Sequence, residues 1–152
     1  MQNRQGFTLI ELMIVVAIMG ILSMFAMSSY QDYIIRSRLS KVPTAIEPIK
    51  LAIAEYGALN GQFNFTPNDW QSPQASQGLG LTNVPLATNE IASYALAADG
   101  TITLTLQNIG TCANNKTLTW RPTLGGTVVI WTIGGSAVGG ANTCGNEVAK
   151  WQ

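Results

Sequence analysis

The chain is predicted to be an α+β protein in which one long, bent N-terminal helix packs on a small four-stranded antiparallel sheet. Three observations predict this. From Leu12 to Gln31 there is no charged residue, and Leu, Ile, Val, Met, Phe and Ala fill most positions. Next, Ile35, Leu39, Val42, Ile46, Ile49, Ile53 and Tyr56 step alternately by four and three, the repeat of one helical face. After Ile91 the apolar residues recur in short runs, the clearest alternating Thr with Ile102, Leu104 and Leu106, which suits strands with one face covered and one wet.

The elements follow in order. Residues 1–6 form a short polar leader ending in Gly6, with Arg4 as its one charged side chain. Residues 7–29 are apolar on every side, as expected of a helix surrounded by lipid or by copies of itself. At about 1.5 Å per residue, the uncharged run is long enough to cross the roughly 30 Å hydrocarbon core of a bilayer. Gly20 and Ser23 are small positions where neighbouring helices can approach closely. Glu11 stands at the mouth of this run. A carboxylate costs roughly 2.5–3.5 kcal/mol at the centre of a membrane helix and less near its end, so some partner is expected to use it.

Residues 30–59 form the amphipathic half of the helix. Arg36, Lys41, Glu47, Lys50 and Glu55 fall off the apolar stripe, and the stripe is expected to pack on the chain's own sheet. Pro43 and Pro48 each remove a helical hydrogen bond and predict a bend. Asn60-Gly61 supplies the stop. Residues 60–90 are a connector rich in Gln, Asn, Ser, Pro and Gly, whose Phe63, Phe65 and Trp70 are expected to pin it to the head; a contact surface for neighbouring copies is the other reading. Asn64-Phe65-Thr66 and Asn115-Lys116-Thr117 are weak glycosylation matches.

The sheet is assigned to residues 91–133. Ile91 to Ala98 is followed by the tight-turn pair Asp99-Gly100 and then by Thr101 to Gln107. Thr117 to Arg121 and Thr127 to Ile133 make a second pair, joined through Pro122 and Gly125-Gly126. Residues 134–152 are a glycine-rich C-terminal loop ending in Trp151-Gln152.

The order of polar leader, Gly6, Phe7, Thr8-Leu9-Ile10, Glu11 and the run from Leu12 to Leu22 resembles the N-terminus of a type IV pilin. The likeness covers about the first thirty-five residues densely. It implies a pilin fold and a membrane peptidase that cuts after Gly6. It also implies N-methylation of Phe7 and an apolar helix retained on the mature protein. In such filaments Glu11 would neutralise the charged amine of Phe7 on an adjacent subunit. Members usually carry proline two residues before the position of Tyr30; Ser28 stands there, keeps its N–H and forces no break.

Cys112 and Cys144 both follow the apolar run, too far apart for a C-x-x-C pair. In a chain delivered outside the cytosol they most simply form one disulfide, and the resemblance implies the same staple; two buried free thiols are the alternative. Arg36, Arg38 and Lys41 pull the other way, because positive charge next to a span favours the cytoplasmic side. The leader and the thiols outweigh this count, since large domains translocate largely regardless of charge.

Charged residues make up 11% of the 152, the net charge is zero, and there is no histidine. No Ser-His or close Cys-His pair, phosphate loop or carboxylate cluster points to catalysis, and no cofactor or metal is expected. DNA binding lacks a basic stripe: the head offers only Lys116, Arg121 and Lys150, well apart.

The resemblance implies a homopolymeric surface filament for adhesion, twitching motility and, in some relatives, DNA uptake. Its subunit would begin in the bacterial inner membrane, meet a prepilin peptidase and methyltransferase, and pass to the pilus assembly machinery. A minor pilin, or a pseudopilin of a type II secretion system, shares the same N-terminus. The latter usually lacks a C-terminal disulfide and carries an Asp-rich calcium loop absent here. An ordinary signal peptide is disfavoured by the length of the run and by Glu11; an unprocessed single-pass anchor remains a further alternative.

Overall fold

A computed structural model of the chain describes residues 6–126, 128–140 and 142–151. Most of the predicted leader, Arg4 included, thus lies outside the described residues. So do Thr127, where the last strand was expected to start, and Ala141 and Gln152 of the predicted C-terminal loop. The chain forms two compact units, one ending at Ile34 and the other running from Ile35.

The N-terminal unit is helical. Helix α1 spans Leu9–Leu39, with its final turn in the second unit. Every residue from Gly6 to Gln31 is exposed, and nearly all of the large ones are apolar. Water is a poor surrounding for such a surface, and the helix is long and apolar enough to cross a membrane. It runs without interruption through Gly20 and Ser28, and Ser23 Oγ donates back to the Met19 carbonyl at 2.7 Å.

The second unit is an α+β head. Helix α2 spans Lys41–Asn60, separated from α1 by a turn at Ser40. Pro43 causes the break: it has no N–H to offer the Leu39 carbonyl four residues back. Pro48 is tolerated inside α2 because it sits on the exposed side, where water can serve the freed carbonyl. The helix ends at Gly61, whose φ of 68° is left-handed and whose N–H donates to the Gly57 carbonyl.

Leu39, Val42, Ile46, Ile49, Ile53 and Tyr56 of the predicted stripe are all buried, and Ile35 packs against the same core. They meet the inner face of a four-stranded antiparallel sheet of order β1-β2-β3-β4. Its strands are β1 (Ile91–Leu96), β2 (Ile102–Leu106), β3 (Thr117–Gly125) and β4 (Val128–Gly134). Ile102, Leu104 and Leu106 are buried, while Thr103 pairs with Thr119 and Thr105 with Thr117 on the wetter face. Gly100 closes the β1–β2 turn at φ 77°, and a Cβ there would meet Pro122 and Phe65 at 3.0 and 3.2 Å.

Three local features differ from the expectation. In β1 the register slips between Ile91 and Ser93, a bulge that lets both Ile91 and Tyr94 oppose inward residues of β2. Pro122 lies inside β3 instead of ending it, paired with Trp131. The first residue of β2, Ile102, sits opposite Trp120, so β3 beyond that point has one neighbour and tolerates a missing donor. Finally, the glycine-rich tail contains a short helix, α3 (Thr143–Val148), followed by a 3-10 turn at Ala149–Trp151.

The side chain of Asn142 caps α3 by accepting the Gly145 N–H at 2.9 Å. Asn142→Ala is expected to lower stability by about 0.5–2 kcal/mol, read as a small fall in the thermal midpoint.

The connector is ordered over much of its course. Phe65 and Trp70 are buried, Phe65 packs on Tyr56 with ring centroids 4.3 Å apart, and the Tyr56 hydroxyl donates to the Asn64 carbonyl. The backbone N–H groups of Phe65 and Asn68 donate to the carbonyls of Ala98 and Leu96, so this loop covers the free edge at the end of β1.

Candidate assembly site

Helix α1 starts at the residues singled out in the sequence. Thr8 is its N-cap, with Glu11 three positions on. The backbone N–H and hydroxyl of Thr8 donate to Glu11 Oε2 at 2.8 and 2.7 Å, and the Glu11 N–H donates to Thr8 Oγ1 at 3.3 Å. This reciprocal arrangement is a capping box, and it satisfies two of the four N–H groups that a helix start leaves unpaired. The partial positive charge at that end also favours a carboxylate. The sequence signal for it is the Thr-x-x-Glu spacing of Thr8 and Glu11.

Glu11 therefore has a role within the single chain. Both bonds from Thr8 reach one oxygen, Oε2, which leaves Oε1 able to accept from another group. Phe7 precedes the cap and is almost fully exposed, and Gly6 next to the predicted cut is exposed too. Leu12, Met13, Ile14, Val15 and Val16 follow on an exposed apolar surface. The site is thus one carboxylate, already held in orientation, at the head of a rod without other charge before Asp32.

At the opposite end of the chain, Cys112 and Cys144 are joined in a disulfide, with Cα atoms 5.9 Å apart. The bond fastens α3 to the segment that precedes β3. Trp151 adds a second fastening by stacking on Trp120, centroids 6.3 Å apart and planes 18° from parallel. No group of His, Cys, Asp or Glu among the described residues is placed to hold a metal.

Two of the three cations that follow the apolar run serve the head's own structure. Lys41 Nζ lies 2.9 Å from Oε1 of the buried Glu90, and Arg38 Nη1 donates to the Asn108 carbonyl. Lys41 and Arg38, which sequence reading counted as orientation signals, thereby tie the helical break to the ends of β1 and β2.

Comparison with known proteins bears on both regions. Residues 1–27 match the prokaryotic N-terminal methylation motif, and residues 35–149 match the pilin (bacterial filament) family. The chain is 33% identical over 138 residues to the fimbrial protein EcpC of Eikenella corrodens, covering 90% of this chain and 86% of that one. It is 33% identical over 145 residues to a fimbrial protein of Pseudomonas aeruginosa, covering 80% and 94% respectively. With the type IV major fimbrial protein FimA of Dichelobacter nodosus it shares 39% identity over 94 residues, 62% of this chain and about half of that protein, 51%. With an α+β head of the expected layout and a matching N-terminal motif, this chain belongs to the type IV pilin family, as a structural and non-enzymatic pilus subunit.

Proposed function

We propose that this subunit is cut after Gly6, N-methylated on Phe7, held in the inner membrane by residues 7–29, and then polymerised through that same helix into a surface filament. The observation that carries this reading is the exposed apolar run of α1 from Leu9 to Tyr30, with Glu11 near its head. Lipid and neighbouring copies both offer apolar surroundings, so transfer from one to the other leaves the helix covered throughout. Residues 30–59 then carry the head, residues 60–90 link it to the sheet of 91–133, and residues 134–152 form the disulfide-tied outer loop.

In the filament, Glu11 would pair with the amine of Phe7 on an adjacent subunit and so set axial register. An apolar surface alone is indifferent to sliding, whereas a buried unpaired charge penalises every wrong register. Because Thr8 holds Oε2, the amine would approach Oε1.

The filament would serve adhesion and twitching motility. The family and the methylation motif support polymerisation and processing by a prepilin peptidase. Deleting the chain from its host is the direct test. The expected result is loss of surface filaments and of twitching, restored by the intact chain. Unchanged filaments in its absence would count against the reading.

A further inference from the structure

The head carries an open sheet edge beside an apolar groove, and elsewhere an extended segment with unspent backbone groups. Strand β4 is the last in the sheet and has only β3 as a neighbour. Between Val128 and Thr132 no backbone hydrogen bond joins its outer edge to any described residue. The usual protections are missing, since Val128–Gly134 contains no charge and no proline and its pairing with β3 has no bulge. The opposite edge, at the end of β1, is covered by the loop around Phe65 and Asn68.

Alongside β4 runs a groove whose floor is apolar, lined by Leu51, Ala54, Ala58, Leu124, Val129 and Trp131, with Glu55 on its wall and Lys50 Nζ 5.6 Å from the centre of the Trp131 ring. Leu51 is 71% exposed and Val128 63%. The groove lies where a fifth strand would place its inward side chains against α2.

The segment at 83–87, Asn-Val-Pro-Leu-Ala, lies against the other flank of α2, near Ala45 and Pro48. It is neither helix nor strand, and none of its backbone N–H or C=O groups is bonded to a described residue. Val84 and Leu86 are exposed, Leu86 at 79%.

We propose that residues 83–87 of one subunit add to β4 of a neighbouring copy as a fifth strand. In an extended chain, alternate residues share both a side-chain face and a hydrogen-bonding direction. If Val84 and Leu86 bond to β4, their side chains enter the groove together. Pro85 then falls between them, and its missing N–H points away from β4, where a terminal strand needs no donor. Main-chain bonds supply cohesion and the groove supplies register, as in other cases of strand addition. The donor and acceptor surfaces differ and lie on opposite flanks of α2, so the contact is heterologous. A heterologous contact whose rotation does not close propagates as a filament. A second copy is the occupant because this chain itself carries the complementary segment. The inference rests on the reading of the chain as a polymerising subunit.

The test uses full-length chain in sheared filaments, with Leu86→Cys and Val129→Cys in the same subunit. Mild oxidation is expected to give a ladder of covalent dimers, trimers and higher species that collapses on reduction, with no ladder from either single variant. Amide exchange of the unsubstituted protein is the second measurement. In filaments, residues 83–87 and 128–132 are both expected to exchange more slowly than in detergent-held subunits, by about tenfold or more. Filaments that form normally but give neither ladder nor slowed exchange would overturn strand addition and leave the pilus reading standing. Failure of the unsubstituted chain to form filaments would overturn both.

Discussion

Glu11→Gln is expected to abolish filament assembly while leaving the start of α1 intact. Glutamine at this position still completes a capping box with Thr8, so the helix N-terminus retains its two reciprocal hydrogen bonds. What disappears is the charge. Removing one partner of a buried ion pair leaves the other uncompensated at about 3–5 kcal/mol, which in a subunit-addition equilibrium is a hundredfold or more. Filament counts by electron microscopy should fall accordingly, with the subunit accumulating in the membrane. Thr8→Ala is the companion variant. It removes the hydroxyl cap, at about 0.5–2 kcal/mol of local helix stability, but keeps the carboxylate, and filaments should still form. If Glu11→Gln assembled normally and Thr8→Ala failed, Glu11 would be a helix cap and no more. Glu11→Ala removes both roles and so distinguishes nothing alone, though normal assembly from that variant would dismiss both.

The second large effect is expected from Cys144→Ser. Cys112 and Cys144 close a loop with a sequence separation of 32, which includes β3 and β4. Chain entropy in the unfolded state puts the stabilisation from such a closure at about 3–4 kcal/mol. For a head of this size the thermal midpoint should drop by about 10–15 °C. Cys144 is also fully buried in α3, so its replacement should release the tail first, unstacking Trp151 from Trp120. Tryptophan fluorescence therefore ought to change at a lower temperature than the far-UV signal of α2. A variant with an unaltered midpoint would mean that the Trp120–Trp151 stack and the Asn142 cap suffice to hold the tail.

The parts of this fold that were legible in the sequence are those governed by a regular period. The alternating steps from Leu39 to Tyr56 mark a face that is buried throughout, because a helix repeats every 3.6 residues and a core has no tolerance for a polar residue on that line. Ile102, Leu104 and Leu106 were equally plain, since period two admits only one buried face. The parts that were missed depend on neighbours that a sequence does not display. Pro122 ends a strand only where both edges must be paired, and β2 stops short of it. The helix around Cys144 has 6 residues, under two turns and too short for a periodic signal. The bulge in β1 appears in the sequence only as an irregular gap between Ile91 and Tyr94.

At the assembly site the same division holds. Glu11 was visible as a charge where none belonged, and the resemblance supplied its expected partner. Its bond to Thr8 has a sequence signal as well, in the three-residue spacing of a capping box. Arg38 and Lys41 read differently once folded. As isolated cations beside an apolar run they argued for a cytoplasmic head; in the structure they bind the Asn108 carbonyl and the buried Glu90. A positive charge engaged by its own domain is a structural feature as well as an orientation signal.

The central claim is that the apolar rod stays on the mature subunit and becomes the polymerising element. The intact mass of the chain recovered from sheared surface filaments tests it most directly. The expected polypeptide begins at Phe7, is heavier by one CH2 because a methyl group replaces an amine hydrogen, and is lighter by the two hydrogens lost in joining Cys112 to Cys144. A filament subunit that began beyond Met27 would have no apolar rod to polymerise through, and that result would contradict the account.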